Sequence, residues 1–146
     1  MKYDIKLRMP ENWVTEREEY LDESGVEISH FESRIPASDS SSETALIDIY
    51  VGEMPEGETA EDQAFANYAE TVGFDDDENI EPPIFKSKFN GKNAWGFIGE
   101  TEDGYPIKFL AQETKKGILA IIIAFAENET LLNNIFETIE KNLRIS

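Results

Sequence analysis

The chain contains no cysteine among its 146 residues. That absence excludes disulfides, zinc–thiolate sites, iron–sulfur clusters and thiol catalysis, because each needs a cysteine sulfur. Long hydrophobic runs are also lacking: the longest, Ile118–Ala126, has nine residues, against the roughly 20 that a membrane-spanning helix needs. The charged start, MKYDIKLRM, lacks the apolar region of a secretory signal. We therefore expect a cytoplasmic protein if this is the full-length chain, although a removed leader would leave the same sequence.

Basic residues are scarce, and the middle third of the chain has none. The chain has 31 Asp and Glu against 13 Lys and Arg, a net charge of −18, and residues 35–85 hold fourteen acids without one Lys or Arg. Such a surface repels nucleic-acid phosphates and anionic lipid headgroups, so we expect no binding to nucleic acid or to membranes. The partner that this charge favours is a protein with a basic surface. A purely solvated acidic stretch is the alternative.

The length and the hydrophobic periodicity predict a single domain, residues 1–146, of the α+β class. We expect an antiparallel sheet of six or seven strands with helices on both faces, an α/β/α sandwich. The strands are predicted at 3–7, 26–31, 45–51, 84–89, 93–101, 105–113 and 118–126, and the helices at 59–72 and 129–143.

Local signals support several of these elements. Asn90-Gly91 is typical of a type I′ hairpin, since both central residues must take positive φ. The last strand is apolar on both faces, which predicts a central position in the sheet. In the helix at 59–72, Phe65 and Tyr68 are predicted to lie on the buried face with Ala69 and Val72.

Three short motifs, in the order in which they occur along the chain, resemble those of a known family. They are a Pro-x-x-Trp turn at 10–13 after the first strand, a glycine-centred turn at 90–94, and a closing helix with a short tail at 136–146. In these features the chain resembles the PsbP-like superfamily, which includes extrinsic photosystem subunits and the Ran-binding Mog proteins. The resemblance implies the sandwich fold and a binding or assembly role rather than catalysis.

Candidate catalytic residues are few. His30 is the only histidine, and a Ser–His–Asp triad would need it as the base. No serine stands in a G-x-S-x-G motif, so we interpret His30 as an ordinary strand histidine. Trp13 and Trp95 are interpreted as core residues rather than as a binding platform. We expect no catalytic residue, no metal ligand and no cofactor.

The acidic run Asp75, Asp76, Asp77 and Glu78 resembles the start of an EF-hand loop. The sixth position of that loop is Ile80 where glycine is required, so an EF-hand is rejected. Weak cation binding by the clustered carboxylates stays open. We instead predict that these four acids contribute to a partner-binding surface.

The sequence thus predicts a non-catalytic binding or assembly module whose acidic middle third forms or borders the contact surface. The alternative is a small acidic inhibitor, an immunity protein or a secretion chaperone that binds a basic protein. An enzyme, in that case a hydrolase, is the third class and is not expected.

Overall fold

The computed structural model describes residues 3–35, 44–72, 83–101 and 103–146. The predicted contact residues Asp75, Asp76, Asp77 and Glu78 lie outside these ranges. In chain order the elements are β1 (Ile5–Lys6), β2 (Val14–Leu21), β3 (Glu27–Arg34), β4 (Ala45–Glu53), α1 (Ala60–Val72), β5 (Phe85–Phe89), β6 (Lys92–Glu100), β7 (Pro106–Lys115), β8 (Ile118–Ala126), α2 (Glu129–Asn142) and β9 (Arg144–Ile145).

Two antiparallel meanders meet in one main sheet. Within the described ranges this sheet has seven strands, in the order β2-β3-β4-β8-β7-β6-β5. The first meander, β2–β4, and the second, β5–β8, join where β4 pairs antiparallel with β8. The predicted α+β class and the antiparallel sheet of six or seven strands are confirmed.

Strand β8 lies in the interior of the sheet, between β4 and β7, as its apolar sequence predicted. Its alternate residues Ala120, Ile122 and Ala124 are fully buried. Ile121 and Ile123, which point the other way, are half-buried. One side of β8 is therefore more completely covered than the other.

The buried apolar residues form two clusters, and each helix belongs to a different one. Leu132, Ile135, Phe136 and Ile139 of α2 pack in the larger cluster, which includes much of β4 and β8. Ala60 and Ala64 of α1 pack in the smaller cluster, with Phe97, Phe109, Ala111 and Leu119. The second meander thus supplies most of the surface that α1 covers.

Short-range signals in the sequence identified several turns and helix ends correctly. Asn90 and Gly91 take φ values of 51° and 80°, as the type I′ hairpin requires. The side chain of Asn128 accepts a hydrogen bond from the Leu131 amide at 2.8 Å and begins α2. Trp13 and Trp95 both pack against the core as predicted.

The strand prediction was incomplete at both ends of the chain. Strand β2 was not predicted, because all eight residues of VTEREEYL are exposed and show no apolar alternation. It is an edge strand held by its pairing with β3. The predicted first strand does not join the main sheet: β1 pairs antiparallel with β9, in the segment predicted as a tail, and forms a separate two-stranded sheet.

The buried face of α1 was predicted only in part: Tyr68 is confirmed, Phe65 is wrong, and the side chains of Ala69 and Val72 lie outside the part of the chain that the structure describes. Phe65 is 37% exposed, whereas Ala60 and Ala64 are buried and Tyr68 packs against their cluster. The buried face follows the spacing i, i+4, i+8, which is Ala60, Ala64 and Tyr68. The small alanine side chains let the helix approach the sheet closely where Phe97 and Phe109 already fill the space. Neither described helix has the length and apolar character to span a membrane.

Candidate functional site

The first meander places polar side chains in two rows that cross the sheet. Residues directly opposite each other on paired strands have their side chains on the same face. The first row contains Glu16, Glu32, Asp48, Ile123, Phe109 and Phe97. The second contains Glu18, His30, Tyr50, Ile121, Ala111 and Trp95. Both rows change from polar residues on β2–β4 to apolar residues on β6–β8.

His30 lies between carboxylates of both neighbouring strands. Its Nδ1 is 2.9 Å from Oε1 of Glu18 on β2, and its Nε2 is 2.7 Å from Oδ1 of Asp48 on β4. The ring of Tyr50 stacks on the imidazole with centroids 4.3 Å apart and planes within 1°. We call His30, Glu18, Glu32, Asp48 and Tyr50 the His30 cluster. His30 itself is only 9% exposed, so the position and orientation of its ring are fixed.

The carboxylates set the protonation of His30. Burial of the ring lowers the pKa of His30, but the hydrogen bonds and negative charges of Glu18 and Asp48 outweigh it and raise the pKa above its usual value of 6.5. The imidazolium form can donate from both nitrogens, one to each carboxylate. The folded site therefore favours a protonated His30 when no other cation is present.

Two neighbours of the ring also have shifted pKa values. Burial raises the pKa of Asp48 above its usual 3.8, and the contact with His30 opposes that shift only in part. Burial, together with the charge of Asp48, raises the pKa of Tyr50 to about 12. Tyr50 is therefore neutral at physiological pH and serves as a flat apolar surface for the imidazole.

An exposed acidic rim surrounds the cluster. Arg34 donates to Oε1 of Glu32 at 2.6 Å and to Oε2 of Glu16 at 3.2 Å. The side chains of Glu16 and Glu18 are each 64% exposed. A concavity of about 400 Å³ is lined by Glu16, Arg17, Glu18, His30 and Glu32. Four carboxylates and three basic residues, Arg17, His30 and Arg34, thus share one small area of the sheet surface.

A second concavity, at the second meander, has the opposite character. It has a volume of about 600 Å³ and lies where β5, β6 and the β7–β8 turn approach the start of α1. Its lining includes Lys88, Lys92, Lys115 and Lys116, with Trp95 beside them. Lys92 donates to the backbone carbonyl of Thr114, which holds one of these ammonium groups against the protein. The lining of this concavity is therefore mainly basic, with Glu113 as its acidic member.

The interpretation of His30 as an ordinary strand histidine was incomplete. Both of its nitrogens contact carboxylates, and the partners are 12 and 18 positions away in the sequence. The serines nearest in sequence have other contacts: Ser29 Oγ accepts from the Tyr3 amide at 3.3 Å, and Ser33 Oγ lies 3.0 Å from the Thr15 hydroxyl. One signal was available in the sequence, since Asp48 interrupts the apolar strand ALIDIYV.

Comparison with known proteins finds no family model, no curated protein and no solved structure that matches this chain. The site is therefore interpreted from its own geometry.

Proposed function

We propose that the protein is a cytoplasmic, non-catalytic binding module whose partner is a protein with a basic surface. The observation that supports this function best is the acidic rim of the first meander. Glu16 and Glu18 extend from an edge strand into solvent beside the concavity, with Glu32 behind them. Lysine and arginine side chains of a partner could pair with several carboxylates there. The negative field of these carboxylates accelerates association with a cationic protein.

The resemblance to PsbP-like proteins belongs to this proposal, and with it the α/β/α sandwich. Strand β7 supports the sandwich arrangement. Phe109 and Ala111 pack in the cluster of α1, whereas Leu110 between them packs in the cluster of α2. Successive side chains of a strand point to opposite faces, so this alternation favours one helix on each face.

A non-catalytic role is supported by the engagement of the one histidine. A general base needs a nitrogen within reach of the proton that it abstracts. Both ring nitrogens of His30 contact carboxylates instead.

We also retain Asp75, Asp76, Asp77 and Glu78 in the proposed contact surface, on the basis of their charge alone.

The test compares two triple variants with the same change in net charge. Glu16, Glu18 and Glu32 are replaced by Gln in the first variant. Glu127, Glu129 and Glu137, exposed residues in or just before α2, are replaced by Gln in the control. A protein captured by the immobilised wild-type chain is purified, and its association rate with each variant is measured at low and at high salt.

We expect the first variant to associate roughly tenfold more slowly, with a flatter salt dependence, while the control stays near the wild type. Equal rates for all three proteins would contradict the proposal, as would an equal loss in both variants, since that would report net charge alone. A variant with Asp75, Asp76, Asp77 and Glu78 changed to Asn and Gln tests the middle-third acids in the same way.

A further inference from the structure

We propose that His30, Glu32 and Asp48 bind one divalent first-row transition-metal ion, with Glu18 holding the histidine in position. Each of the three residues offers one ligand atom, and these atoms lie within 4.8 Å of one another. The set combines an imidazole with two carboxylates, and imidazole distinguishes it from the many acidic pairs on this surface. This inference concerns the isolated chain and is independent of any protein partner.

Rigid elements supply all three ligands. His30 and Glu32 stand two positions apart on β3 and so share one face, and Asp48 lies directly opposite Glu32 on β4. Both strands are interior to the sheet, paired on each side. Ligands on such strands are held more precisely than ligands on loops. The site is therefore largely formed before an ion arrives.

The spacing of one ligand pair, His30 and Asp48, is close to what an ion needs, and the third ligand atom, on Glu32, lies within 4.8 Å of both. Two ligands bound at about 2.0–2.1 Å in tetrahedral geometry lie roughly 3.3 Å apart. His30 Nε2 and Asp48 Oδ1 are 2.7 Å apart. The pair must therefore open by only about 0.6 Å to admit the ion. Glu32 and Asp48 are half-buried, at 26% and 19% exposed, and Glu32 accepts from Arg34 through Oε1, which leaves its second carboxylate oxygen for the ion.

Glu18 provides an observation that is independent of the three ligands. Metal-binding histidines donate their second N–H to a carboxylate or carbonyl, which fixes the tautomer and directs the other nitrogen at the metal. Glu18 Oε1 accepts from Nδ1 of His30 at 2.9 Å, and the stacked ring of Tyr50 fixes the plane of the imidazole. With the proton held on Nδ1, the lone pair of Nε2 points to the side where Asp48 lies.

The donor set indicates the kind of ion. Two carboxylates and a neutral imidazole neutralise a divalent cation, and imidazole favours zinc, iron, nickel or copper over magnesium and calcium. The ion replaces the proton on Nε2, which is released to solvent, and no electron transfer is involved. Water from the neighbouring concavity would complete the coordination.

The test uses the full 146-residue chain after treatment with a chelator, titrated with Zn²⁺ by calorimetry. We expect one saturable site, proton release on binding, and much weaker heats with Mg²⁺. His30→Ala, Asp48→Asn and Glu32→Gln should each weaken Zn²⁺ binding more than tenfold. Glu18→Gln should weaken it roughly 10- to 100-fold without removing a ligand. Glu129→Gln, on the exposed surface of α2, is the charge-matched control and should bind like the wild type.

A second measurement uses only the wild-type chain, so it does not depend on whether a variant folds. Because His30 is the only histidine, its imidazole NMR signals are unambiguous in the wild-type chain. Stoichiometric Zn²⁺ should shift the Nε2 resonance strongly while Nδ1 keeps its proton. Unchanged ring signals at saturating Zn²⁺ would overturn the proposal, and so would Zn²⁺ affinity that is the same in His30→Ala.

Discussion

The two meanders present different chemistry on one continuous sheet face. In the second meander, Phe97 and Phe109 stack with centroids 4.8 Å apart and pack against α1. In the first meander, the same cross-strand row continues as Asp48, Glu32 and Glu16. The strand pairing is regular along both rows, and the register shift of β7 against β8 lies outside them, between Glu113 and Lys115, so the difference lies in the side chains. One half of the face contributes to the core, and the other half carries the candidate site.

Different interactions stabilise the two halves of the row. Apolar burial holds the row in the second meander, and its contribution is proportional to the area removed from water. Hydrogen bonds between charged groups hold the row in the first meander, where the net stabilisation is small because the same groups bind water well when unfolded. Substitutions in the two halves should therefore differ in size and in their dependence on pH.

The largest effect should follow from removing an aromatic ring at the apolar end of the first row. Phe97 is fully buried between Phe109 and Tyr68, so Phe97→Ala should cost about 3–5 kcal/mol in the free energy of unfolding, through lost burial and the cavity left behind. Glu16→Ala, at the other end of the same row, should cost at most about 1 kcal/mol. Urea titrations followed by circular dichroism measure both. Similar losses of unfolding free energy in the two variants would contradict the proposed difference between the two meanders.

A smaller difference should appear between two strand glycines, one in each meander. A methyl group at Gly96 on β6 would collide with the carbonyl oxygen of Phe109, which is fixed by the strand ladder. At Gly52 on β4 the methyl group would meet chiefly the tip of the Ile28 side chain, which can rotate away. Gly96→Ala should therefore destabilise by about 1–3 kcal/mol, and Gly52→Ala by clearly less.

Both changes restrict the unfolded chain equally, so the difference between their unfolding free energies reports on the native contacts. If Gly52→Ala proves the more damaging, the first meander is packed as rigidly as the second, and the contrast drawn between them is wrong.

The predictable parts of the fold are those whose signal is local. Strand β8 and helix α2 are long, strongly patterned segments, and Asn90-Gly91 specifies its own turn. Strand β2 had no such signal, because a charged edge strand discourages pairing with other chains and needs no apolar face. On α1 the periodicity was identified correctly, but alanines and not Phe65 face the sheet.

The candidate site was beyond sequence reasoning for a related reason. Glu18, His30 and Asp48 come from three strands, and only the register of an unpredicted strand brings Glu18 to His30. The acidic run that was predicted to bind a partner, Asp75, Asp76, Asp77 and Glu78, was selected by composition, which does not specify geometry. The one sequence feature that indicated the site was Asp48, a single acid within the apolar strand β4.

The smallest effect should be a pH dependence that belongs to the first meander alone. The folded state raises the pKa of His30 above 6.5, so it binds a proton more tightly than the unfolded chain does. This contribution to stability is complete below about pH 6.5 and is lost as the pH rises through the raised value. Unfolding free energies measured with a chelator from about pH 6 to about pH 8 should therefore decrease for the wild type. In His30→Gln that decrease should be smaller, because the group that Glu18 and Asp48 hold protonated is missing. Phe97→Ala, which leaves the His30 cluster intact, should keep the wild-type slope at lower overall stability. Parallel curves for the wild type and His30→Gln would show that the carboxylates do not hold a proton on this histidine.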